Sequence, residues 1–218
     1  PRTAFAAGAP RHGASPVYIA ATTPLGFSVM DDKAVEGDGI GLGVARTFFA
    51  IDAGSFAAYA GTFTLTAIGT HTLQFYSVDV LGNAEVVRST QVAVDGLPAR
   101  TAVAFGEPRF SGDRLYLSST TPIEFSATDD LAAAGDGFGV GTAQTLMSAD
   151  SAAFAAVIAS TVSLSTEGAH VLAWFSRDLV DNAELVASTA VAVDLTPPLT
   201  FLLISSPSVT QASGTVVG

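Results

Sequence analysis

Tyr76-Ser77-Val78-Asp79-Val80-Leu81-Gly82-Asn83-Ala84-Glu85 returns ninety-nine residues later as Phe175-Ser176-Arg177-Asp178-Leu179-Val180-Asp181-Asn182-Ala183-Glu184. Asn83 and Asn182 are the only asparagines in the chain. A residue used once per period at one register marks a position with a specific backbone or side-chain demand, so the repeat is structural. Upstream of the segment, Thr70 to Asp79 alternates with period two, placing His71, Leu73, Phe75 and Ser77 on one face of a strand. The second copy identifies that face as the inner one. Leu73 becomes Leu172 and Phe75 becomes Trp174, whereas on the opposite face Gln74 becomes Ala173 and Val78 becomes Arg177, a change a core does not accept.

The register extends along nearly the whole chain. Pro10, Pro108 and Pro207 correspond, as do Thr22-Thr23-Pro24 and Thr120-Thr121-Pro122, and Asp31-Asp32 and Asp129-Asp130. Gly37-Asp38-Gly39-Ile40-Gly41-Leu42-Gly43 answers Gly135-Asp136-Gly137-Phe138-Gly139-Val140-Gly141, and the units close at Val92-Ala93-Val94-Asp95 and Val191-Ala192-Val193-Asp194. Residues 1–98 form a first repeat and 99–197 a second, and 198–218 opens a third, with Thr200 answering Thr101 and Thr3. With neither an initiator methionine nor a signal peptide, the chain reads as a window cut from a longer array.

Short apolar runs at Leu25 to Met30, Val44 to Ile51, Thr62 to Leu65 and Val86 to Val94 read as further strands, separated by Gly, Pro, Asp and Ser clusters. Helix signals are weak, although Leu131 to Ala134 and Ala152 to Ala156 have the composition of a helical turn. The pattern predicts an all-β chain of two tandem antiparallel immunoglobulin-like sandwiches plus the opening strand of a third. Units near one hundred residues bury one core each. The chain has no cysteine, so packing alone must hold those cores.

Nine basic against twenty acidic residues give a formal charge of -11, which repels polyphosphates and anionic headgroups and excludes nucleic acid as a partner. Mean hydropathy is high, at +0.46. The densest apolar run, Phe201 to Ile204, is far short of the ~20 residues of a membrane span, so membrane insertion is not expected.

These motifs resemble the tandem bacterial immunoglobulin-like repeats of secreted and surface-attached proteins, in the hairpin Gly69 to Glu85 and the closing strand Val92 to Pro98, and again in Gly168 to Glu184 and Val191 to Pro198. Asp181 replaces the turn glycine in the second copy, and Gly96-Leu97-Pro98 replaces the double proline in the first linker. The resemblance implies an extracellular or bacterial cell-surface location and a role as stalk, adhesion module or accessory domain. It does not separate these roles.

The turn element Asp-x-x-Gly-Asn-x-Glu is sufficiently explained by hairpin shaping, with Gly82-Asn83 or Asp181-Asn182 tolerating positive φ and Asp79 or Asp178 accepting amides of the turn, and a cation-ligand role for it is the lesser alternative. The other acidic loop leaves two readings open. Calcium takes six to eight oxygens, and a glycine-rich loop turns carbonyls inward beside carboxylates, which makes Asp31, Asp32, Asp38, Asp129, Asp130 and Asp136 the candidate ligands. The spacing lacks the closing glutamate of an EF-hand, which weighs toward a solvated acidic loop. An aspartate beside the proline linker that shared a cation with a neighbouring loop would stiffen the array. His71 and His170 read as satisfied structural histidines. The Gly-x-Gly-x-Gly run opens no helix and carries no Lys-Ser/Thr, which excludes a nucleotide loop.

Every acidic candidate is duplicated, so the asymmetric constellation of an active site is missing and no enzyme is expected. The primary expectation is a non-enzymatic structural module whose partners are neighbouring repeats of the same chain, with no required cofactor and calcium as an optional stiffener. One rival is a glycan- or protein-binding adhesion module, for which Phe56, Tyr59, Phe110 and Phe138 would be the exposed aromatics. The other is self-assembly through edge strands, with Thr200 to Ile204 pairing to another chain.

Overall fold

The computed structural model describes residues 1–31, 41–129, 139–158 and 161–203. Every regular element among them is a strand, in chain order β1 (Arg2–Ala7), β2 (Arg11–His12), β3 (Val17–Ala20), β4 (Leu25–Met30), β5 (Val44–Ile51), β6 (Ala57–Ala58), β7 (Gly69–Asp79) and β8 (Arg88–Asp95). The second half continues with β9 (Arg100–Phe105), β10 (Arg109–Ser111), β11 (Leu115–Leu117), β12 (Ile123–Thr128), β13 (Thr142–Ala149), β14 (Ala155–Ala156), β15 (Thr161–Val162), β16 (Gly168–Asp178) and β17 (Ala187–Val193).

Each half is a two-layer unit. In the first, β1–β4 forms one sheet and β2–β3–β8–β7–β5–β6 the other; in the second, β9–β12–β15 faces β10–β11–β17–β16–β13–β14. Side chains from both layers meet in each core, including Ala7, Leu25, Ile19, Leu73 and Val92 in the first and Ile123, Leu117, Leu172 and Val191 in the second. The layers are therefore sandwiches of immunoglobulin-like type. One departure from a purely antiparallel plan recurs: β3 runs parallel to β8, and β11 parallel to β17. The chain leaves its first strand, crosses between layers, and joins the far sheet beside the closing strand. Gly8 and Gly106 permit that crossing, since a Cβ there would stand 2.7 and 2.5 Å from Cγ of Pro24 and Pro122.

The alternation in β7 is obeyed. Leu73 and Ser77 are fully buried and Phe75 nearly so, and Leu172 and Ser176 repeat the pattern. Two strand assignments and one helical-turn expectation need correction. Val86 and Val87 lie outside β8 and are exposed, because Glu85 turns back into the protein and leaves them over solvent. Thr62 to Leu65 contributes one bridge, Phe63 to Leu25, instead of a strand. Ala155–Ala156 pairs with β13, so the second alanine run is extended at that point. The first run, Leu131 to Ala134, lies outside the described residues.

A buried polar knot ties β1 to the hairpin. Glu85 accepts from the Thr3 amide at 3.0 Å, the Ser77 amide at 2.8 Å and the Thr3 hydroxyl, while Ser77 Oγ touches Thr3 Oγ1 at 2.6 Å and Thr47 Oγ1 at 2.8 Å. Glu184 repeats it with the Thr101 amide (3.2 Å), the Ser176 amide (2.8 Å) and the Thr101 hydroxyl, and Ser176 meets Thr101 and Thr145. Several charge-assisted hydrogen bonds converge on one carboxylate, and removing it leaves each donor desolvated without a partner. Glu184→Ala is expected to destabilise the second unit by about 2–4 kcal/mol, read as a lower urea midpoint, with Glu85→Ala acting likewise on the first.

His71 Nδ1 lies 3.0 Å from Asp52 Oδ2 and Nε2 lies 2.8 Å from the Ala67 carbonyl; His170 meets Asp150 at 2.6 Å and the Thr166 carbonyl at 2.8 Å. Both partners of each ring only accept, so the ring is held as imidazolium with both nitrogens donating. The hydrogen bond to Asp52 or Asp150 is the largest cause raising each histidine above its ordinary value. A raised folded value means stability fully present below the unfolded pKa of about 6.5 and lost as pH rises through the folded value. The stability of the chain should therefore fall on going from mildly acid to alkaline pH, and His71→Gln with His170→Gln should flatten that slope in urea titrations at stepped pH.

Candidate metal centre at the joint between the units

The turn Asp79 to Asn83 is built by its own side chains. Asp79 Oδ1 accepts the amides of Leu81 (2.9 Å) and Asn83 (2.8 Å), and Oδ2 accepts from Asn83 Nδ2 at 2.7 Å. Asp178 does the same with Val180, Asn182 and Asn182 Nδ2. Positive φ falls on Gly82 (87°) and Asp181 (70°), so the asparagine serves to lock the aspartate and does not itself take the left-handed conformation. Beside this turn, Asp31 Oδ2 accepts from Gly43 N at 2.9 Å, and Asp129 Oδ2 from Gly141 N at 2.8 Å.

In the second unit these two aspartates are joined by a third from the first unit. Asp95 ends β8 fully buried, and its Oδ2 accepts from Val140 N at 3.3 Å while its carbonyl accepts from Asn182 Nδ2 at 3.1 Å. One carboxylate oxygen from each of Asp95, Asp129 and Asp178 lies within 4.8 Å of the other two. Three carboxylates at that spacing repel by roughly 3 kcal/mol per pair at an effective dielectric near 20. Burial, with Asp129 adding to it, pushes the Asp178 carboxyl up against the pull of Asn182 and the turn amides. The first unit differs. There Asp79 is held low, chiefly by its hydrogen bond from Asn83.

Of the six aspartates the sequence nominates as ligands, Asp129 enters this cluster and Asp31 occupies the equivalent place in the first unit. Asp32, Asp38, Asp130 and Asp136 lie outside the described residues. Asp95 and Asp178 complete the group, Asp178 coming from the turn for which hairpin shaping is the favoured reading and a cation role the lesser one. The available signal was the aspartate that closes both V-x-V-D strands, since a carboxylate at a domain end is placed to meet the next loop. The donors are all hard oxygens, preorganised by backbone amides, which suits calcium with water completing its six to eight ligands.

Among the described residues, Phe56, Tyr59 and Phe110 do not converge on one site. Tyr59 hydrogen-bonds the Phe27 amide and packs among Phe27, Phe49 and Phe63, which makes it part of the core. Phe56 and Phe154 lie edge-on against Tyr76 and Phe175, Phe110 is exposed beside Tyr116, and Phe138 lies outside the described residues.

No protein-family profile matches the chain, and no curated protein matches it. Among solved structures, the chain is similar to the fibronectin(III)-like modules of Clostridium thermocellum CbhA, at 15% identity and a TM-score of 0.46, covering 91% of this chain and 100% of that one. It is also similar to the D00-D0 domain of Intimin, at 16% identity and a TM-score of 0.30, covering 88% and 100%. The likeness is one of fold.

A cation that binds the folded joint and not the unfolded chain raises stability by mass action. Calcium is expected to raise the thermal midpoint, and Asp129→Asn with Asp178→Asn to abolish that gain in differential scanning fluorimetry. Asp38→Ala with Asp136→Ala, in the glycine-rich acidic loops of the sequence, is expected to retain it.

Proposed function

We propose that the chain is a non-enzymatic structural repeat module of a larger bacterial extracellular or cell-surface protein, a spacer whose joint is stiffened by a divalent cation. The observation that carries this reading is the convergence of Asp95, from the end of one unit, with Asp129 and Asp178 of the next. A linker that only tethered two domains would leave its residues in solvent. Here Asp95 and Ala99 are fully buried, and Gly96 to Pro98 are partly so. Inter-domain motion is the default unless the contact is specific, and a cation shared by three carboxylates supplies such a contact.

The mechanism is mechanical. Each unit buries its own core, the joint sets the angle between units, and reach grows with copy number. The extracellular setting rests on the resemblance of the turn and closing-strand motifs to surface repeats.

Because the chain lacks cysteine, spin labels attach only where thiols are introduced. With Gln91→Cys and Ala190→Cys, both at exposed strand positions in separate units, pulsed electron paramagnetic resonance in calcium is expected to give one narrow distance. Chelator, or Asp95→Asn, is expected to broaden it. A broad distribution in calcium would sink the spacer reading.

A further inference from the structure

The outer face of the large sheet differs in kind between the two units. In β16, His170 and Leu172 are buried while Ala169 and Val171 face solvent, and in β17 Val191 is buried and Ala190 exposed. The first unit keeps the inward residues as His71, Leu73 and Val92, but outside it carries Thr70, Thr72 and Gln91 where the second has Ala169, Val171 and Ala190. A solvated strand face gains nothing from losing three polar side chains together, and Val171 is left 50% exposed.

The β10–β11 hairpin changes at the same place. Ser15 and Pro16 of the first unit are answered by Asp113 and Arg114, and His12 by Phe110. Asp113 and Arg114 wall a cleft of about 330 Å³ whose floor is Ala169, Val171 and Ala190. That volume is within the range of small-molecule sites. Arg114 Nε lies 3.6 Å from Asp113 Oδ2, and Tyr116 donates its hydroxyl to Asp113 Oδ1 at 2.9 Å, so the polar rim is oriented and carries no net charge. By register Phe110 faces Tyr116, Tyr116 stands beside Ala192, and Ala192 beside Ala169, which puts two aromatic rings on the same face as the floor. Phe110 is 68% exposed.

These features select a ligand chemistry. A charged ligand would have to break the Asp113–Arg114 pair to use either group. A neutral polyhydroxylated one uses both, because the carboxylate only accepts, the guanidinium only donates, and neighbouring hydroxyls do each. A pyranose ring also has an apolar C–H face, which fits an apolar floor and aromatic rings while its hydroxyl edge meets the polar rim. We infer that the cleft between the β10–β11 hairpin and the outer faces of β16 and β17 is a binding site for a neutral saccharide. Asp113 and Arg114 hold its hydroxyls, and Ala169, Val171 and Ala190 carry its C–H face. The inference goes beyond the spacer role and does not depend on it, since the joint is built from other residues.

The test is a titration of the isotope-labelled whole chain with cellotetraose, chitotetraose, maltotetraose and mannotetraose, each to about 10 mM, where a site of millimolar affinity is largely filled. At least one sugar is expected to shift the amides of Arg114, Ala169, Val171 and Ala190 while Thr70, Thr72 and Gln91 of the first unit stay in place. Arg114→Ala, at an exposed position, is expected to weaken that binding about tenfold, the loss of a hydrogen bond to a charged group. Ala169→Thr with Val171→Thr and Ala190→Gln gives the second unit the first unit's floor, with which the first unit forms its own sheet, and is expected to abolish binding at an unchanged urea midpoint. Silence of these amides with every sugar, or undiminished binding by the floor variant, would overturn the proposal. Shifts at the same amides that follow protein concentration instead of added sugar would overturn it in favour of a contact between copies.

Discussion

The carboxylate of Glu184, buried against Thr101 and Ser176, is the constraint from which the rest follows. It accepts from the amide of the second residue of β9 and from the Ser176 amide near the end of β16, so the strand that enters the unit is pinned to the hairpin that carries the turn. The linker ends at Ala99, two residues before Thr101, and therefore has little freedom once that knot is tied. Asp95 is delivered beside Asp178 as a consequence. In the first unit Glu85 pins Thr3 in the same way, and the repeat of the motif is the repeat of this mechanical link. A surface turn would not need a buried glutamate, and a core would not accept one without the donors that surround it.

Much of this was legible in the sequence, and the limits have physical causes. The inward face of β7 followed from period two and from substitutions between copies, because a change such as Val78 to Arg177 is tolerable only in solvent. The bounds of β4 and β5 were readable for the same reason. Val86 and Val87 were misplaced because β-branched residues carry strand propensity wherever they stand, and here the inward pull of Glu85 decides the path. Two-residue strands such as β6 and β14 have too few residues to show a period. The parallel pairing of β3 with β8 is set by a crossover, which local patterning does not encode.

The joint shows a sharper limit. Local spacing groups Asp129 with Asp130 and Asp136, its neighbours in sequence, and among the described residues the fold groups it with Asp95 and Asp178, one from the preceding unit and one from a hairpin far along the chain. A carboxylate cluster at a domain boundary is invisible to motif spacing, since its members share no segment. What repetition offers is an aspartate that closes both units, Asp95 and Asp194.

The most direct measurement is paramagnetic broadening of amide resonances as manganese is titrated into the isotope-labelled chain. The account predicts that Val140, Gly141, Val180 and Asn182 broaden first and that excess calcium restores them. Broadening that begins instead around Asp32 to Asp38 and Asp130 to Asp136, with Val180 and Asn182 sharp, would contradict it and return the cation to the acidic loops.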